Sequence, residues 1–333
     1  MPNKGNGDSS ATLPVFHLHP HTIFSTIIMP DLKFEPKKAI PDLSGKVILI
    51  TGGTAGVGSG TVLELAAHNP AHILFTGRNA KAADGVIARA PKGVKLTFIT
   101  CDTADNASVA SAAENILSTT PDRLDVIACC AGIMAKPTGL SKDGYEIHFA
   151  TNQLGHSLLV RKLLPLLEKT ASQPGADVRI IMVTSMAFKG TPSGGIQFDK
   201  LRTEQDLPVL GPWLRYGQSK LANLLYAREL AERYPNILAF AIHPGVVKTS
   251  LVTDLTWSQK LVVYLPNIGQ MLTPEQGTYN LLWAVTAEKE GIKSGGFYVP
   301  VGKLSDEKTE ASENPKLRKA LWEWTETEIA KYL

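Results

Sequence analysis

Thr51-Gly52-Gly53-Thr54-Ala55-Gly56-Val57-Gly58 decides the fold of this chain, because it joins an apolar run to an amphipathic one. The apolar run Lys46–Thr51 is rich in β-branched residues and predicts a strand, whereas Val57–His68 predicts a helix. A glycine-rich turn at a helix start lets a phosphate approach backbone amides at the positive end of the helix dipole. Gly58 is followed by Ser59 rather than by the lysine of a nucleoside-triphosphate loop, so that class of site is excluded.

The rest of the chain repeats this alternation of strand and helix. The predicted strands are apolar on both faces, as a sheet covered by helices requires. They are Lys46–Thr51, His72–Gly77, Val94–Cys101, Leu124–Cys129, Val178–Ser185, Ile237–His243 and Gly296–Val299. The predicted helices are Val57–His68, Asn106–Ser118, Tyr145–Glu168, Tyr216–Arg233, Pro274–Ala287 and Pro315–Lys331. We therefore expect an α/β protein with a Rossmann-like doubly wound fold and a seven-stranded parallel sheet flanked by helices.

The domain organisation follows from the absence of an internal repeat or a clear linker, which favours one domain. We expect a Rossmann-fold domain over residues 45–303, preceded by an N-terminal extension, 1–44. A C-terminal tail and helix, 304–333, are expected to pack on this domain. The segment at about 250–273 is expected to form a lid over the substrate.

Composition indicates a globular protein that binds small molecules. Of the 333 residues, 44% are hydrophobic, and the formal net charge of +3 comes without a basic block, which argues against nucleic acid as a partner. No apolar run is long enough to span a membrane. The three cysteines, Cys101, Cys129 and Cys130, end apolar runs and are interpreted as packed thiols in a reducing compartment, so we expect a cytoplasmic protein.

The N-terminal extension contains alternating histidines, His17, His19 and His21, within the apolar run Val15–Met29. Histidines can ligate a metal ion, but no nearby cysteine or carboxylate completes a site. We therefore expect no metal site, and an arm that lies across the domain surface.

The end of the second predicted strand indicates which dinucleotide the glycine turn accepts. Folds that bind NAD place an acidic residue about 20 residues after the turn, where it binds the ribose hydroxyls. Here Phe75-Thr76-Gly77-Arg78-Asn79 contains no acid. The planar cation of Arg78 suits a phosphate and can stack on adenine, which favours NADP(H), the alternative being a strand end in solvent. Asp102, after the third strand, can accept a hydrogen bond from the adenine amino group or cap the next helix.

Tyr216-Gly217-Gln218-Ser219-Lys220 places a phenol and an ammonium group four residues apart in a predicted helix. Side chains at this spacing project from one helix face and can address one bound molecule. A phenol with a pKa of about 10 is a poor acid or base at neutral pH unless a cation stabilises its phenolate. Lys220 is placed to do so, and the pair indicates a nucleotide-dependent redox enzyme.

Several further motifs occur in the order typical of one enzyme family. They are Cys130-Ala131-Gly132, Asn152, Ser185 and Pro244-Gly245. Together with the glycine turn and the Tyr216–Lys220 pair, they resemble the short-chain dehydrogenase/reductase family over roughly residues 40–303. The segments Tyr216–Asn223, Ile196–Leu201 and His243–Gly245 look most like the retinol-dehydrogenase-like and WW-domain-oxidoreductase-like branch, including its fungal members.

The resemblance implies a role for four side chains. Tyr216 would protonate a carbonyl oxygen as NADPH delivers hydride, and act as the base in the reverse direction. Lys220 would lower the pKa of Tyr216 and bind the nicotinamide ribose. Ser185 would hydrogen-bond the substrate oxygen, and Asn152 would help hold a proton-relay water.

The resemblance also implies a cofactor-binding set along the crevice. Within it, the backbone of Val247 and the hydroxyl of Thr249 would lie near the nicotinamide carboxamide. The whole set is Thr51, Gly52, Thr54, Gly56, Val57, Gly58, Arg78, Asp102, Cys130, Ala131, Gly132, Tyr216, Lys220, Pro244, Gly245, Val247 and Thr249.

Two departures from the family pattern concern a strand end and a loop. Cys129-Cys130-Ala131-Gly132 stands where the family has Asn-Asn-Ala-Gly, which removes an amide side chain and puts one local hydrogen bond in doubt. The gap from Ser185 to Tyr216 is long, with Gly190–Gly195 and Asp206–Pro212 interpreted as loop, and we expect it to wall the substrate pocket.

The predicted lid supplies many apolar side chains, which suits a bulky hydrophobic substrate, the alternative being a surface helix packed on the core. They are Leu255, Trp257, Leu261, Val262, Val263, Tyr264, Leu265 and Met271.

The expected function is NADPH-dependent hydride transfer to or from a hydrophobic aldehyde, ketone or secondary-metabolite intermediate. Two alternatives stay open: a non-catalytic scaffold that binds cofactor and another protein, and a dehydratase or epimerase with no net NADPH consumption. The apolar faces of Tyr145–Glu168 and Tyr216–Arg233 further predict a homodimer.

Overall fold

A central sheet organises this computed structural model, which describes residues 32–253 and 255–333. Its strands are β1 (Val47–Ile50), β2 (His72–Gly77), β3 (Leu96–Thr100), β4 (Val126–Cys129), β5 (Arg179–Val183), β6 (Leu238–Ile242), β7 (Phe297–Val299) and β8 (Lys303–Leu304). Within those two ranges the strand order is β3-β2-β1-β4-β5-β6-β7-β8, and only β8 runs antiparallel to its neighbour. The predicted α/β doubly wound class is confirmed. The predicted arm at Val15–Met29, with its histidines, lies outside the described residues.

The predicted strand count of seven is one short, because β8 extends the sheet beyond β7. The chain turns at Pro300–Gly302, so that Tyr298 faces Leu304. A strand of two residues is too short to show the alternation by which strands are recognised in a sequence. Its second residue, Leu304, also lies one position past the predicted end of the domain.

The described helices cover both faces of the sheet. They are α1 (Pro36–Ala39), α2 (Gly56–Ala66), α3 (Ala80–Arg89), α4 (Asn106–Thr119), α5 (Ile147–Phe149), α6 (Gly155–Ala171), α7 (Gly211–Arg233), α8 (Ser250–Thr253), α9 (Trp257–Tyr264), α10 (Tyr279–Thr286) and α11 (Pro315–Ile329). One core contains residues of α2, α3 and α10, and the other contains residues of α4, α6, α7 and α11. Strands between two such cores are apolar on both sides, which explains why their sequences show no alternation.

The topological switch point lies between β1 and β4. β1 pairs in parallel with β2 on one side and β4 on the other, so that Ile48 faces both Ile73 and Val126. After β1 the chain adds β2 and β3 on one side of it, and then adds β4 and the later strands on the other side. The connections therefore leave β1 and β4 in opposite directions, and a crevice opens at the carboxyl ends of these two strands. Thr51 and Cys130 immediately follow those two ends.

The helices differ from prediction in three main places. Tyr145–Glu168 is not one helix but α5, a π-helical turn at Ala150–Leu154, and α6. α7 begins at Gly211, inside a predicted loop, because Pro212 in a first turn loses no intrahelical hydrogen bond. α3 was not predicted, since only its Ala83 and Val86 are buried and Gly85, a poor helix former, interrupts its alanine-rich sequence.

α11 covers part of α6 and α7, the helices through which we expected a homodimer. The Trp322 ring stacks on Tyr226 with centroids 5.4 Å apart, and Glu326 pairs with Arg161 at 2.8 Å. Trp324 packs edge-on against Phe149 at 5.5 Å. A dimer through these faces would therefore require α11 to leave them.

Candidate active site

The buried face of α7 carries Tyr216 and Lys220 to the carboxyl end of β5. Their exposed fractions are 7% and 5%. The Lys220 Nζ donates to the Val183 carbonyl at 2.9 Å and lies 5.7 Å from the centroid of the Tyr216 ring. Gly217 lets α7 pack closely against the chain at Gly190, since a Cβ at Gly217 would lie 1.9 Å from the Gly190 carbonyl oxygen. The phenol and the amine thus lie together at the edge of the sheet.

Burial governs the proton affinities of both groups in the protein alone. It raises the pKa of Tyr216 to about 12, and a hydrogen bond with Ser185 opposes that rise. It lowers the pKa of Lys220 to about 8, opposed by the nearby Cys130 thiol. We expected Lys220 to lower the phenol's pKa, but the loss of hydration is the larger effect here, because both groups lie in an apolar, water-poor environment.

Ser185 follows β5 and stands next to the phenol. Its Oγ accepts a hydrogen bond from the Ala187 N–H at 3.2 Å, which begins a short 3₁₀ turn, Met186–Lys189. The same side chain hydrogen-bonds Tyr216. A substrate oxygen that reached the phenol would therefore also meet the Ser185 hydroxyl.

Asn152 lies in the π-helical turn, and its side chain is fully engaged. Its Oδ1 accepts from the Ile133 N–H at 2.8 Å, and its Nδ2 donates to the Ile133 carbonyl at 3.0 Å and to the Ser219 Oγ at 2.9 Å. The amide therefore fixes the loop after Gly132 against α7. The main-chain carbonyl of Asn152 accepts from the His156 Nδ1 at 2.8 Å, and a carbonyl oxygen can also accept from a water.

The Thr51 hydroxyl is buried and joins the ends of β1 and β4. It accepts from the N–H groups of Cys130 and Ala131 at 2.8 and 2.9 Å, and it lies 2.8 Å from the His156 Nε2. Thr51 was predicted to bind cofactor. That role stays a prediction, and the Thr51 hydroxyl holds the ends of β1 and β4 together.

The turn between β1 and α2 fits a dinucleotide pyrophosphate. Gly52 has a φ of +69°, and a Cβ there would lie 2.9 Å from the Ala131 Cα. Among the described residues no side chain caps the start of α2 at Gly56, which leaves its first N–H groups for an outside acceptor. A cavity of about 540 Å³, lined in part by Lys248 and Thr249, opens at this helix start.

Thr249 lies across the crevice from the glycine turn. A Cβ on Gly56 would come within 3.5 Å of the Thr249 Cγ2. The segment after Pro244-Gly245 is fixed by a bridge between Val247 and Leu272. Thr249 thus lies against the glycine turn, and its place near the nicotinamide carboxamide stays a prediction.

The remaining cofactor candidates lie along the same edge of the sheet. Thr54 packs against the end of β2, because a Cβ on Gly77 would lie 2.7 Å from its side chain. Val57 packs partly buried against the core on the α2 side. Cys130 lies close enough to Lys220 to raise the pKa of Lys220, against the larger effect of burial.

Arg78 and Asp102 face each other beyond the carboxyl ends of β2 and β3. The Arg78 Nη1 lies 4.0 Å from the Asp102 Oδ2, and the Arg78 side chain is 69% exposed, so the guanidinium stays accessible. Asp102 accepts from the Ala104 N–H at 3.0 Å. The alternative that Asp102 caps the next helix is wrong, because Asp105 caps α4.

The lid contributes an apolar cluster beside Tyr216. Val252, Leu255 and Val263 are buried in one cluster with Tyr216 and Met134. The other predicted lid side chains divide into two groups. Trp257, Leu261, Val262 and Leu265 are exposed, and Tyr264 and Met271 are half-buried.

Sequence reasoning missed a buried charged cluster that adjoins the phenol. The Arg215 Nε lies 3.3 Å from the Glu146 Oε1, which also accepts from the His148 Nδ1 at 2.7 Å. Arg215 further donates to the carbonyls of Gln205 and Lys136. Arg215 thereby ties the long loop before α7 to the loop after β4. An arginine next to the tyrosine was the only signal, and charges on a helix are more often solvated.

Within the described ranges, no three His, Cys, Asp or Glu side chains are grouped as a metal would require. The helices described there also include none that is both long and apolar enough to cross a bilayer.

Comparison with known proteins finds one family model and close relatives. A model described as short chain dehydrogenase matches residues 46–196. An uncharacterized oxidoreductase of Schizosaccharomyces pombe is 39% identical over 78% of each chain. A short-chain dehydrogenase/reductase of Aspergillus calidoustus is 33% identical over 88% of this chain and 96% of its own. The crystal structure of an NADPH-bound carbonyl reductase from chicken fatty liver matches with a TM-score of 0.61 and 26% identity, covering 79% of this chain and 99% of that one.

Proposed function

The chain belongs to the short-chain dehydrogenase/reductase family, and on that premise we propose that it transfers a hydride between NADP(H) and a hydrophobic carbonyl or alcohol substrate. The observation that carries this proposal is the convergence of Tyr216, Lys220 and Ser185 at the sheet edge beside the β1–β4 crevice. Bound in that crevice, NADP(H) would supply or accept the hydride.

The chemistry of the protein's own groups is proton transfer and orientation. Tyr216 donates its phenolic proton to the carbonyl oxygen in reduction and takes it back in oxidation. Ser185, already hydrogen-bonded to that phenol, orients the oxygen. Lys220 contributes a positive charge beside the phenol, and a charge at this position favours the phenolate that remains after proton donation.

The preference for NADP(H) rests on Arg78. Its accessible guanidinium stands at the end of β2, where a 2′-phosphate would lie, and a planar cation binds phosphate through paired hydrogen bonds. The relative that is named as an NADPH-bound carbonyl reductase supports the same choice. Asp102 is close enough to orient Arg78 and is itself partly exposed.

The hydrophobic substrate class rests on the cluster around Tyr216. Met134, Leu255 and Val263 surround the phenol with apolar surface, so a bulky apolar group would be dehydrated beside the reacting oxygen. A cytoplasmic location is part of the proposal and is supported by three unpaired cysteines.

The test is NADPH oxidation with a panel of aldehydes, ketones and quinones, followed at the absorbance of the reduced nicotinamide. We expect Tyr216→Phe to lower kcat by about 10³-fold while NADPH still binds, as loss of a general acid would. Unchanged turnover in Tyr216→Phe would refute the assignment. NADPH binding with a silent panel would favour the scaffold alternative, and product without NADPH consumption would favour a dehydratase or epimerase.

The cofactor choice is tested separately with Arg78→Gln. We expect NADPH affinity to fall by about tenfold and NADH affinity to stay unchanged, because one charge-assisted contact to the phosphate is lost. Equal loss for both nucleotides would show that Arg78 does not select between them.

A further inference from the structure

His156 is a fully buried polar side chain for which the proposed chemistry has no use. Its exposed fraction is 0%, and it lies in the first turn of α6, directly after the π-helical turn. Both ring nitrogens are engaged. Nδ1 lies 2.8 Å from the Asn152 carbonyl oxygen and Nε2 lies 2.8 Å from the Thr51 Oγ1. A histidine thus spans the distance between the glycine turn and the turn that holds Asn152.

These partners fix the tautomer and the direction of each hydrogen bond. A carbonyl oxygen can only accept, so Nδ1 carries the proton and donates to Asn152. The Thr51 oxygen already accepts from two N–H groups, those of Cys130 and Ala131. Its own proton can go to Nε2 at 2.8 Å or to the Ala128 carbonyl at 3.4 Å, and the shorter distance favours Nε2. The chain of donors therefore runs from Thr51 through the ring to Asn152.

A neutral ring is also what its surroundings favour. Burial, opposed by the hydrogen bond to Asn152 and aided by the charge of nearby Lys220, lowers the pKa of His156 to about 4. The ring therefore keeps one proton over the range in which most enzymes work. Its hydrogen-bond pattern is fixed rather than switched by pH.

The two ends of this chain belong to different elements of the fold. At one end, Thr51 holds the amides of Cys130 and Ala131, beside the glycine turn. At the other end, the Asn152 carbonyl belongs to a π-helical turn, and a carbonyl oxygen has two acceptor positions. The Asn152 side chain bonds Ile133 and Ser219, whereas the His156 ring bonds the Asn152 main-chain carbonyl.

We propose that His156 is a positioning residue that aims the main-chain carbonyl of Asn152 at the proton-relay water and at the same time fixes the Thr51 hydroxyl beneath the cofactor crevice. The proposal rests on the proposed hydride-transfer function, because only proton transfer during turnover needs the relay. His156 donates one hydrogen bond to the Asn152 carbonyl and accepts one from the Thr51 hydroxyl. It touches neither substrate nor cofactor.

The two bonds can be separated by substitution. In His156→Asn the amide ends near the position of Nδ1, so it can still donate to Asn152 but does not reach Thr51. In His156→Gln the amide ends near the position of Nε2, so it reaches Thr51 but leaves the Asn152 carbonyl without its donor. Each variant therefore serves as the matched control of the other.

The measurements are kcat, its solvent deuterium isotope effect, the NADPH dissociation constant and the midpoint of urea unfolding. For His156→Gln we expect kcat to fall by about tenfold, the effect of losing one buried hydrogen bond, with a larger isotope effect and unchanged NADPH affinity. For His156→Asn we expect kcat within about threefold of the parent and NADPH affinity weakened by about threefold.

Two outcomes would overturn the proposal. If both variants lose kcat and stability alike with an unchanged isotope effect, His156 only fills space. If both behave as the parent protein does, neither bond matters. A parent protein inactive on every carbonyl would instead defeat the proposed function, and the difference in NADPH affinity between the two variants would still decide whether His156 acts on the glycine turn.

Discussion

The α7 face that carries Tyr216 and Lys220 and the helix α9 of the predicted lid border the same apolar cluster, but they are held in different ways. On α7, Tyr216 and Lys220 are 7% and 5% exposed, and the amine bonds a strand-end carbonyl. On α9, Trp257 is 77% exposed, and Val263 is buried in the cluster. The contacts of α9 include a capping box at Thr256, a hydrogen bond from Gln259 to the Ala135 carbonyl at 2.8 Å and one from Asn267 to the Val263 carbonyl at 2.7 Å.

Under the proposed function, this contrast separates the position of the reacting groups from the choice of substrate. Groups that move protons need fixed positions, because a hydrogen-bond reach of about 3 Å leaves little tolerance. Tyr216, the proposed proton donor, lies on the buried face of α7 and hydrogen-bonds Ser185. Apolar contacts are not directional and tolerate small displacements. The exposed apolar side chains of the predicted lid would therefore accept different hydrophobic substrates.

The largest expected change in stability comes from the buried charge next to Tyr216. Arg215 is 1% exposed, and Glu146 beside it is 0% exposed. Arg215→Met would leave that carboxylate unpaired, and we expect the free energy of unfolding to fall by about 3–5 kcal/mol. Urea unfolding measures the loss.

The control is the double variant Glu146→Gln with Arg215→Met. It removes both charges together, so we expect it to recover most of the stability that Arg215→Met loses. A double variant that is less stable than Arg215→Met would show that the unpaired charge is not the cause of the loss, and therefore that the ion pair does not stabilise the position of α7.

The next largest effect is a dependence of the free energy of unfolding on pH that comes from Lys220. The unfolded lysine keeps its proton up to its ordinary pKa of 10.5, whereas the folded one loses it above about 8. Between these values the unfolded chain binds more protons, so the free energy of unfolding rises with pH. Relative to Lys220→Met, we expect the parent protein to gain on the order of 3 kcal/mol across this window.

Urea unfolding of both proteins at pH 7.5, 8.5 and 9.5 tests this difference. Burial raises the pKa of Cys101 to about 12 and of Cys130 to about 11, so these thiols make stability fall above pH 9. Cys101 is present in both proteins and cancels in the comparison. The charge of Lys220 lowers the pKa of Cys130, so the Cys130 contribution differs between the two proteins above about pH 9, and the test rests on the change between pH 7.5 and 8.5. A difference that stays constant with pH would mean that the folded lysine is not desolvated.

The smallest effect on stability is expected on the lid. Trp257→Ala removes an exposed side chain, so the free energy of unfolding should change by less than about 0.5 kcal/mol. If the exposed ring contacts substrate, KM for a long-chain ketone should rise several-fold while KM for a short aldehyde stays the same. Equal loss of activity on both substrates would show that the lid takes part in the reaction itself.

The matched control is Val263→Ala, because Val263 belongs to the same predicted lid but is buried in the cluster with Tyr216. This variant should lower stability measurably.

The sequence predicted most of the sheet because its signals are local. Each of the seven parallel strands and the glycine turn is one continuous stretch, and Tyr216 and Lys220 belong to one helix, so their common face follows from spacing alone. The two-residue β8 was missed because it is too short to show alternation, and α3 was missed because its sequence is alanine-rich and contains Gly85. The roles of the candidate site residues remain predictions.

By itself, the sequence determined the doubly wound class, the family and the place of the crevice, because the order of apolar runs and turns fixes which strand ends meet. Only the tertiary structure decided the π-helical turn, the Glu146–Arg215 pair and the bond between Thr51 and His156, which are 105 positions apart. It also decided that burial raises the Tyr216 pKa. Hydration and hydrogen-bond partners depend on which distant segments exclude water from a group, and no local pattern of residues encodes that.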